Sequence, residues 1–229
     1  MLRGRAGDEA SVLMRSVAIV VEGRTEERFV EEILQVFVGN DVWLRPIVAH
    51  TKRIAGRKAK RGGAAWTHYR SHLRSLCSQP QWWAVTTLID LYGFPADIQL
   101  AESFATSSGH AAAAQLCEVM AREIGDTRFL PFVMVHEFEA LVIAAGARLP
   151  SVFGKARAAH EFQKLLAEHD GNAELIDSHP HSSPAARVEG IIAEYSKVRD
   201  GIDVIERAGL RSCLHACPQL AEWIEWLRG

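Results

Sequence analysis

Five consecutive apolar residues, Val17 to Val21, open the ordered pattern of this chain, and the rhythm changes abruptly behind them. A short uninterrupted apolar run predicts a buried strand. It stops at Glu22 and Gly23, and after Thr25 the period becomes helical. Phe29, Val30, Ile33, Leu34, Phe37 and Val38 share one stripe, while Glu27, Glu31 and Glu32 fall outside it. Trp43–His50 reads as a second strand, with Pro46 pointing to an edge position or an imperfect ladder. Trp66, Tyr69, Leu73, Leu76 and Cys77 recur at helical spacing and predict a helix that ends near Ser78–Pro80. Trp82–Ile89, rich in aromatic and β-branched residues, predicts a third strand that ends in Asp90.

The alternation continues. His110–Ile124 carries Leu116, Val119, Met120 and Ile124 on one helical face. Arg128–Val135 predicts a fourth strand despite Pro131, and Ala140–Ala145 a helix directly behind it. Beyond residue 150 only helical spacing recurs, over Ala156–Glu168, Pro184–Val198, Ile202–Ala208 and Leu210–Leu227. Strands alternating with helices predict an α/β fold with a mostly parallel central sheet flanked by helices. The expected organisation is a disordered extension over residues 1–13, an α/β domain over 14–149 and a helical C-terminal part over 150–229 packed on the same domain. Met14, directly before the first strand, is a plausible alternative start.

Composition narrows the functional classes. A net charge of −2 carries no global signature of nucleic-acid binding, so any basic surface is local. One such stretch exists: Thr51–Gly63 holds Lys52, Arg53, Arg57, Lys58, Lys60 and Arg61, three glycines and no acid. It suits either a loop that grips phosphates or a solvated surface loop. Cys77, Cys117, Cys213 and Cys217 form no disulfide framework at this length, which points to a reducing cytoplasm. The apolar runs are far short of the roughly 20 residues that cross a bilayer, and no secretory signal is evident.

The candidate chemistry lies where the strands end. Glu22, Asp90, and Glu137 with Glu139 follow three of the four predicted strands. In a parallel sheet these ends share one edge, where open α/β folds build their sites. Carboxylates gathered there repel one another unless a cation or protons intervene. Mg²⁺ or Mn²⁺ suits such hard oxygen ligands and can activate phosphodiester hydrolysis. Glu26 lies one helical turn beyond Glu22; it either faces the same crevice or simply favours the helix N-terminus. Asp97 reads as a loop residue. A single acid after a strand is commonly no more than a turn residue, so the claim rests on the three together.

Other chemistries fit less well. Cys213, His215 and Cys217 have helical spacing without the paired CxxC logic of a zinc site. His136 and Glu137 lack the second histidine of a zincin helix, and no phosphate-binding P-loop or dinucleotide fingerprint occurs. His136, His179 and His181 are equally compatible with a general base or phosphate contact and with plain surface or packing roles.

Several of these stretches carry a resemblance. Val21-Glu22-Gly23, followed after one residue by Thr25-Glu26, is similar to the first motif of Toprim domains, in particular the Toprim nuclease part of overcoming-lysogenization-defect proteins. Asp90 through Pro95, Phe132 with Glu137 through Leu141, Arg61-Gly62-Gly63, and Cys217-Pro218 with Trp223 resemble a bacterial Toprim-like family classed as a domain of unknown function. The resemblance implies a Toprim-like, Rossmann-like sheet, with Glu22 as metal ligand or general acid–base and Asp90 as metal ligand. It also implies an ABC-type ATPase partner in phage defence. Toprim domains usually carry an Asp-x-Asp pair, and Tyr92 stands in its second place; Glu137 or Glu139 then supplies the missing ligand. Two readings follow. The first is a metal-dependent nuclease with Glu22, Asp90 and Glu137 catalytic, and Glu22, Glu26, Asp90, Glu137 and Glu139 around Mg²⁺ or Mn²⁺. The second is a non-catalytic subunit that binds nucleic acid, nucleotide or a protein partner. DNA versus RNA and the oligomeric state are open.

Overall fold

A computed structural model describes residues 14–49, 65–91, 94–95, 97–98, 109–135, 137–176 and 182–229. The basic stretch at 52–61, Tyr92, His136, His179 and His181 lie outside the described residues.

Strands β1 (Arg15–Val21), β2 (Val42–Val48), β3 (Ala84–Asp90), β4 (Phe129–Leu130) and β5 (Val133–Met134) form a parallel sheet in the order β2-β1-β3-β4, with β5 also paired to β3. The last two are one predicted strand broken by Pro131, which has no N–H to give to a ladder. The Thr87 hydroxyl bridges the break: it donates to the Phe132 carbonyl at 2.8 Å and accepts from the Phe132 N–H at 2.9 Å. Pro46 sits, as expected, in an edge strand, β2.

Val17 to Val21 are wholly buried because both sheet faces are covered. On one face, Ala18 and Val20 pack with Tyr69 and Leu73 of α3 (Trp66–Cys77) and Leu116 and Met120 of α4 (Gly109–Ile124). On the other, Val17, Ile19 and Val21 meet the helical rod that follows β1 and most of the C-terminal half. The rod runs from α1 (Arg24–Arg28) through a π-helical stretch, Phe29–Leu34, into α2 (Gln35–Val38). It stops at Gly39, whose φ of 91° is a left-handed conformation that glycine adopts without a Cβ clash.

Helix α5 (Glu139–Gly146) is buried along its whole length, and its apolar residues EALVIAAG leave Glu139 as its one charge. Around it pack α6 (Ala156–Ala167), α7 (Pro184–Ile191), α8 (Ile202–Ala208), α9 (Leu210–Cys213) and α10 (Pro218–Arg228). The C-terminal part thus shares its core with β1. Trp223 of α10 stacks on Phe132 with ring centroids 4.8 Å apart and donates its indole N–H to Thr86, inside β3, at 3.0 Å.

Two predicted helices are shorter than their periodicity implies. The one from Pro184 ends at Ile191; Ile192 is extended and Glu194 has a φ of 60°, which turns the chain back before a short π-helical turn, Lys197–Gly201. The one from Leu210 breaks at Cys217, because Pro218 can only start a new helix, as its first residue. No helix among the described residues is long and apolar enough to cross a membrane.

Candidate functional site

Strand order decides where the acids meet. The chain leaves β1 toward β2 on one side and leaves β3 toward β4 on the other, so a crevice opens between the carboxyl ends of β1 and β3. Val21 is in register with Leu88, which puts Glu22, the next residue, beside the end of β3 at Asp90. Glu26 enters from the first turn of α1 and Glu139 from the first turn of α5, behind β5. Gly23 is extended, a conformation open to any residue; a Cβ there would lie 3.6 Å from Glu26 Oε2, so the glycine leaves space beside that carboxylate.

A residue that no motif had marked stands at the centre. Lys197 Nζ lies 3.5 Å from Glu26 Oε1, 3.5 Å from Glu139 Oε2 and 3.7 Å from Asp90 Oδ2. It also sits 5.7 Å from the centre of the Phe138 ring, within cation–π range. The Glu26 and Glu139 side chains are 7% and 4% exposed, whereas Lys197 at 32% still reaches solvent. Among the described residues the cluster is therefore a set of buried carboxylates closed on the solvent side by one partly exposed cationic side chain.

The electrostatics follow from burial. Loss of water pushes the Glu22 carboxyl up to about 7, and the nearby Glu26 charge adds to the shift; Lys197 and the Asp90 backbone N–H oppose it. Burial likewise raises Asp90 well above the usual carboxylate range, with Lys197 pulling it back, and raises Glu139. For Lys197 burial alone would favour the neutral amine, but Asp90, Glu139 and Glu26 more than reverse it and keep the ammonium charged. Tyr69 faces Glu22 and Glu26 from α3, and its hydroxyl is held neutral by burial and by their charges.

Glu22, Glu26, Asp90 and Glu139 thus come together. Glu137 divides from Glu139: its Oε2 accepts the Ala185 N–H at 2.9 Å, at the start of α7. Its charge still reaches Lys197. Asp97 accepts the Trp66 N–H at 2.7 Å and so starts α3. Cys213 and Cys217 are free, buried thiols with raised pKa, a packing role.

Among the described residues, no group of three or more His, Cys, Asp or Glu side chains is set around a single ion position. Mg²⁺ needs fewer protein ligands: one or two carboxylates with waters and substrate phosphate suffice. Asp90 Oδ1 is buried without a hydrogen-bond partner among the described residues, a costly state that a cation or an ordered water would relieve. Carboxylate oxygen is the donor type that a hard divalent ion takes.

The profile of the family described as Domain of unknown function (DUF4276) matches residues 21–228. The match starts at the last residue of β1 and runs through α10, so it takes in every member of the cluster. No curated protein and no solved structure matches the chain.

Proposed function

We propose that this chain, which belongs to the DUF4276 family, is a Toprim-type nuclease that hydrolyses phosphodiesters of DNA or RNA with Mg²⁺ or Mn²⁺. One observation carries the reading: among the described residues, carboxylates from separate elements converge at the β1/β3 switch point around a single lysine, and one buried oxygen of Asp90 is left without a partner. Carboxylates gathered with their pKa values raised by burial and mutual repulsion are the arrangement found at functional sites.

In this reading Glu22 and Asp90 would hold the divalent ion, with Glu26 and Glu139 beside them, and the ion would supply Lewis acidity and a nucleophilic hydroxide. Alternatively, with the ion on Asp90 and Glu22 free of it, the Glu22 carboxyl, raised by burial to about 7, would be matched to taking a proton from an attacking water. Lys197, partly exposed at the mouth of the recess, offers its ammonium to a phosphate oxygen. The basic stretch of Lys52, Arg53, Arg57, Lys58, Lys60 and Arg61 then grips the polyanion without reading its sequence. An ABC-type ATPase is the proposed partner, which would couple cleavage to nucleotide turnover.

Incubation of the purified protein with DNA and with RNA, in Mg²⁺, Mn²⁺ or EDTA, tests the proposal. Cleavage should need the metal and should be lost in Glu22→Ala and Asp90→Ala. Undiminished cleavage by both variants would reject the site. A second reading, a non-catalytic nucleic-acid- or partner-binding subunit, is favoured by Lys197 itself, since its ammonium already occupies the centre of the acids. That reading predicts no cleavage with any metal, with or without the ATPase.

A further inference from the structure

We infer that Arg28 is the positioning residue for Lys197, tethering the turn that carries the ammonium to the helix that carries Glu26. The two segments are far apart in sequence, and beside the Lys197–Glu26 ion pair itself a charged hydrogen bond joins them: Arg28 Nη1 donates to the Val198 carbonyl at 2.5 Å. The rest of the guanidinium is fixed. Its Nε and Nη2 fork onto the two oxygens of Glu32 at 2.7 and 2.8 Å, one helical turn on, which leaves Nη1 free to reach across. Only a planar fork serves both partners at once, so lysine cannot replace it.

The turn Lys197–Gly201 is short and needs such a hold. At its start Asp200 accepts the Ser196 N–H at 2.8 Å, a bond internal to the turn. At its end Gly201 packs with no side chain against Phe138 and Val142 of α5. Those contacts fix the turn against α5, and therefore against Glu139. Arg28 fixes it against α1, two residues from Glu26, so the ammonium stays between acids that come from different elements. Arg28 is not itself among the carboxylates and makes no contact with them that would give it a direct part in chemistry.

Its catalytic consequence rests on the phosphodiesterase reading, but the tether can be measured without turnover. Wild-type protein, Arg28→Ala and Arg28→Lys are treated with an amine-acylating ester, and the rate at each lysine is followed by peptide mass spectrometry. Lys197 should be slow in the wild type because its ammonium is paired on three sides. Loss of a charge-assisted bond should raise its rate about tenfold in both variants, with Lys155 and Lys164, exposed and distant in sequence, unchanged. If the protein proves to be a nuclease, kcat should fall with KM little altered. An unchanged Lys197 rate in Arg28→Ala would overturn the inference. So would full protection in Arg28→Lys, which would make charge rather than the fork sufficient, or an equal rise at Lys155 and Lys164, which would mean general loosening. Absence of nuclease activity in the wild type, with Lys197 still deprotected in the variants, would sink the functional reading and leave the tether standing.

Discussion

Replacing Glu22 by Gln should change the pH dependence of stability more than stability itself. The folded carboxyl titrates near 7 against 4.5 for the free group, because burial and the Glu26 charge disfavour the anion. Between those values the native state binds more protons than the unfolded chain, so stability falls as pH rises. The penalty is absent below the unfolded pKa and complete above the folded one. A shift from 4.5 to about 7 corresponds to about 3 kcal/mol, since each unit is worth about 1.4 kcal/mol. Glutamine has nearly the same shape and cannot ionise, so it escapes this penalty. Urea unfolding of wild type and Glu22→Gln in EDTA, compared at about pH 4 and about pH 8, should therefore show the variant gaining about 3 kcal/mol relative to wild type on going to the higher pH. In a chain of this size that is a relative rise in Tm of about 10 °C. A divalent ion that binds the Glu22 anion should shrink the gap by stabilising the wild type alone. A difference that does not vary with pH would refute the reasoning, for it would mean that Glu22 is solvated and not part of a buried acidic recess.

Lys197→Met should be destabilising by about 3–5 kcal/mol near neutrality, since it leaves buried carboxylates without their cation. The loss should diminish on acidification, as Asp90 and Glu139, both raised, take up protons; chemical unfolding across pH reads this directly. Gly201→Ala places a Cβ 2.8 Å from the Tyr195 hydroxyl and 3.3 Å from Phe138 and Val142, so it should cost about 1–3 kcal/mol by thermal unfolding and expose Lys197 to acylation. Trp223→Ala removes a stacked ring and a buried hydrogen bond to Thr86, and should cost about 3–5 kcal/mol in a single cooperative transition. A separate early transition for the C-terminal helices would show that they do not share the core of the sheet.

What was legible in the chain was local. The strand-to-helix change at Glu22 and the acid behind Trp82–Ile89 are events a few residues long, and parallel pairing then brings such ends to one edge without further information. Glu137 and Glu139 were not separable in this way. They flank Phe138 at the start of α5, and which one turns into the recess depends on α7, far along the chain, whose first turn takes Glu137 by way of the Ala185 N–H. Lys197 was hidden for a related reason. Apolar spacing carries a helix from Pro184 past Val198, and on such a helix a lysine is an ordinary surface residue; the break at Ile192 and the left-handed Glu194 remove it from that face. The cue lay only in the unbalanced acids, which called for a cation without naming its source.

That imbalance also sets how the proposed site should respond to conditions. Among the described residues, four buried or half-buried acids, Glu22, Glu26, Asp90 and Glu139, share one ammonium, which leaves these groups with negative charge to spare. At neutral pH part of the excess is met by a proton on Glu22, and the buried Asp90 Oδ1 is still without a partner. A divalent ion would meet both needs at once, but only by expelling that proton. Metal binding and proton release are then one event, and raising the pH through about 7 should strengthen the one by removing the other. A site in which Lys197 alone completed the charge balance would bind no ion and show no such coupling. Mn²⁺ titrations below and above neutrality, with released protons measured, therefore separate a catalytic recess from an inert one even before a substrate is known.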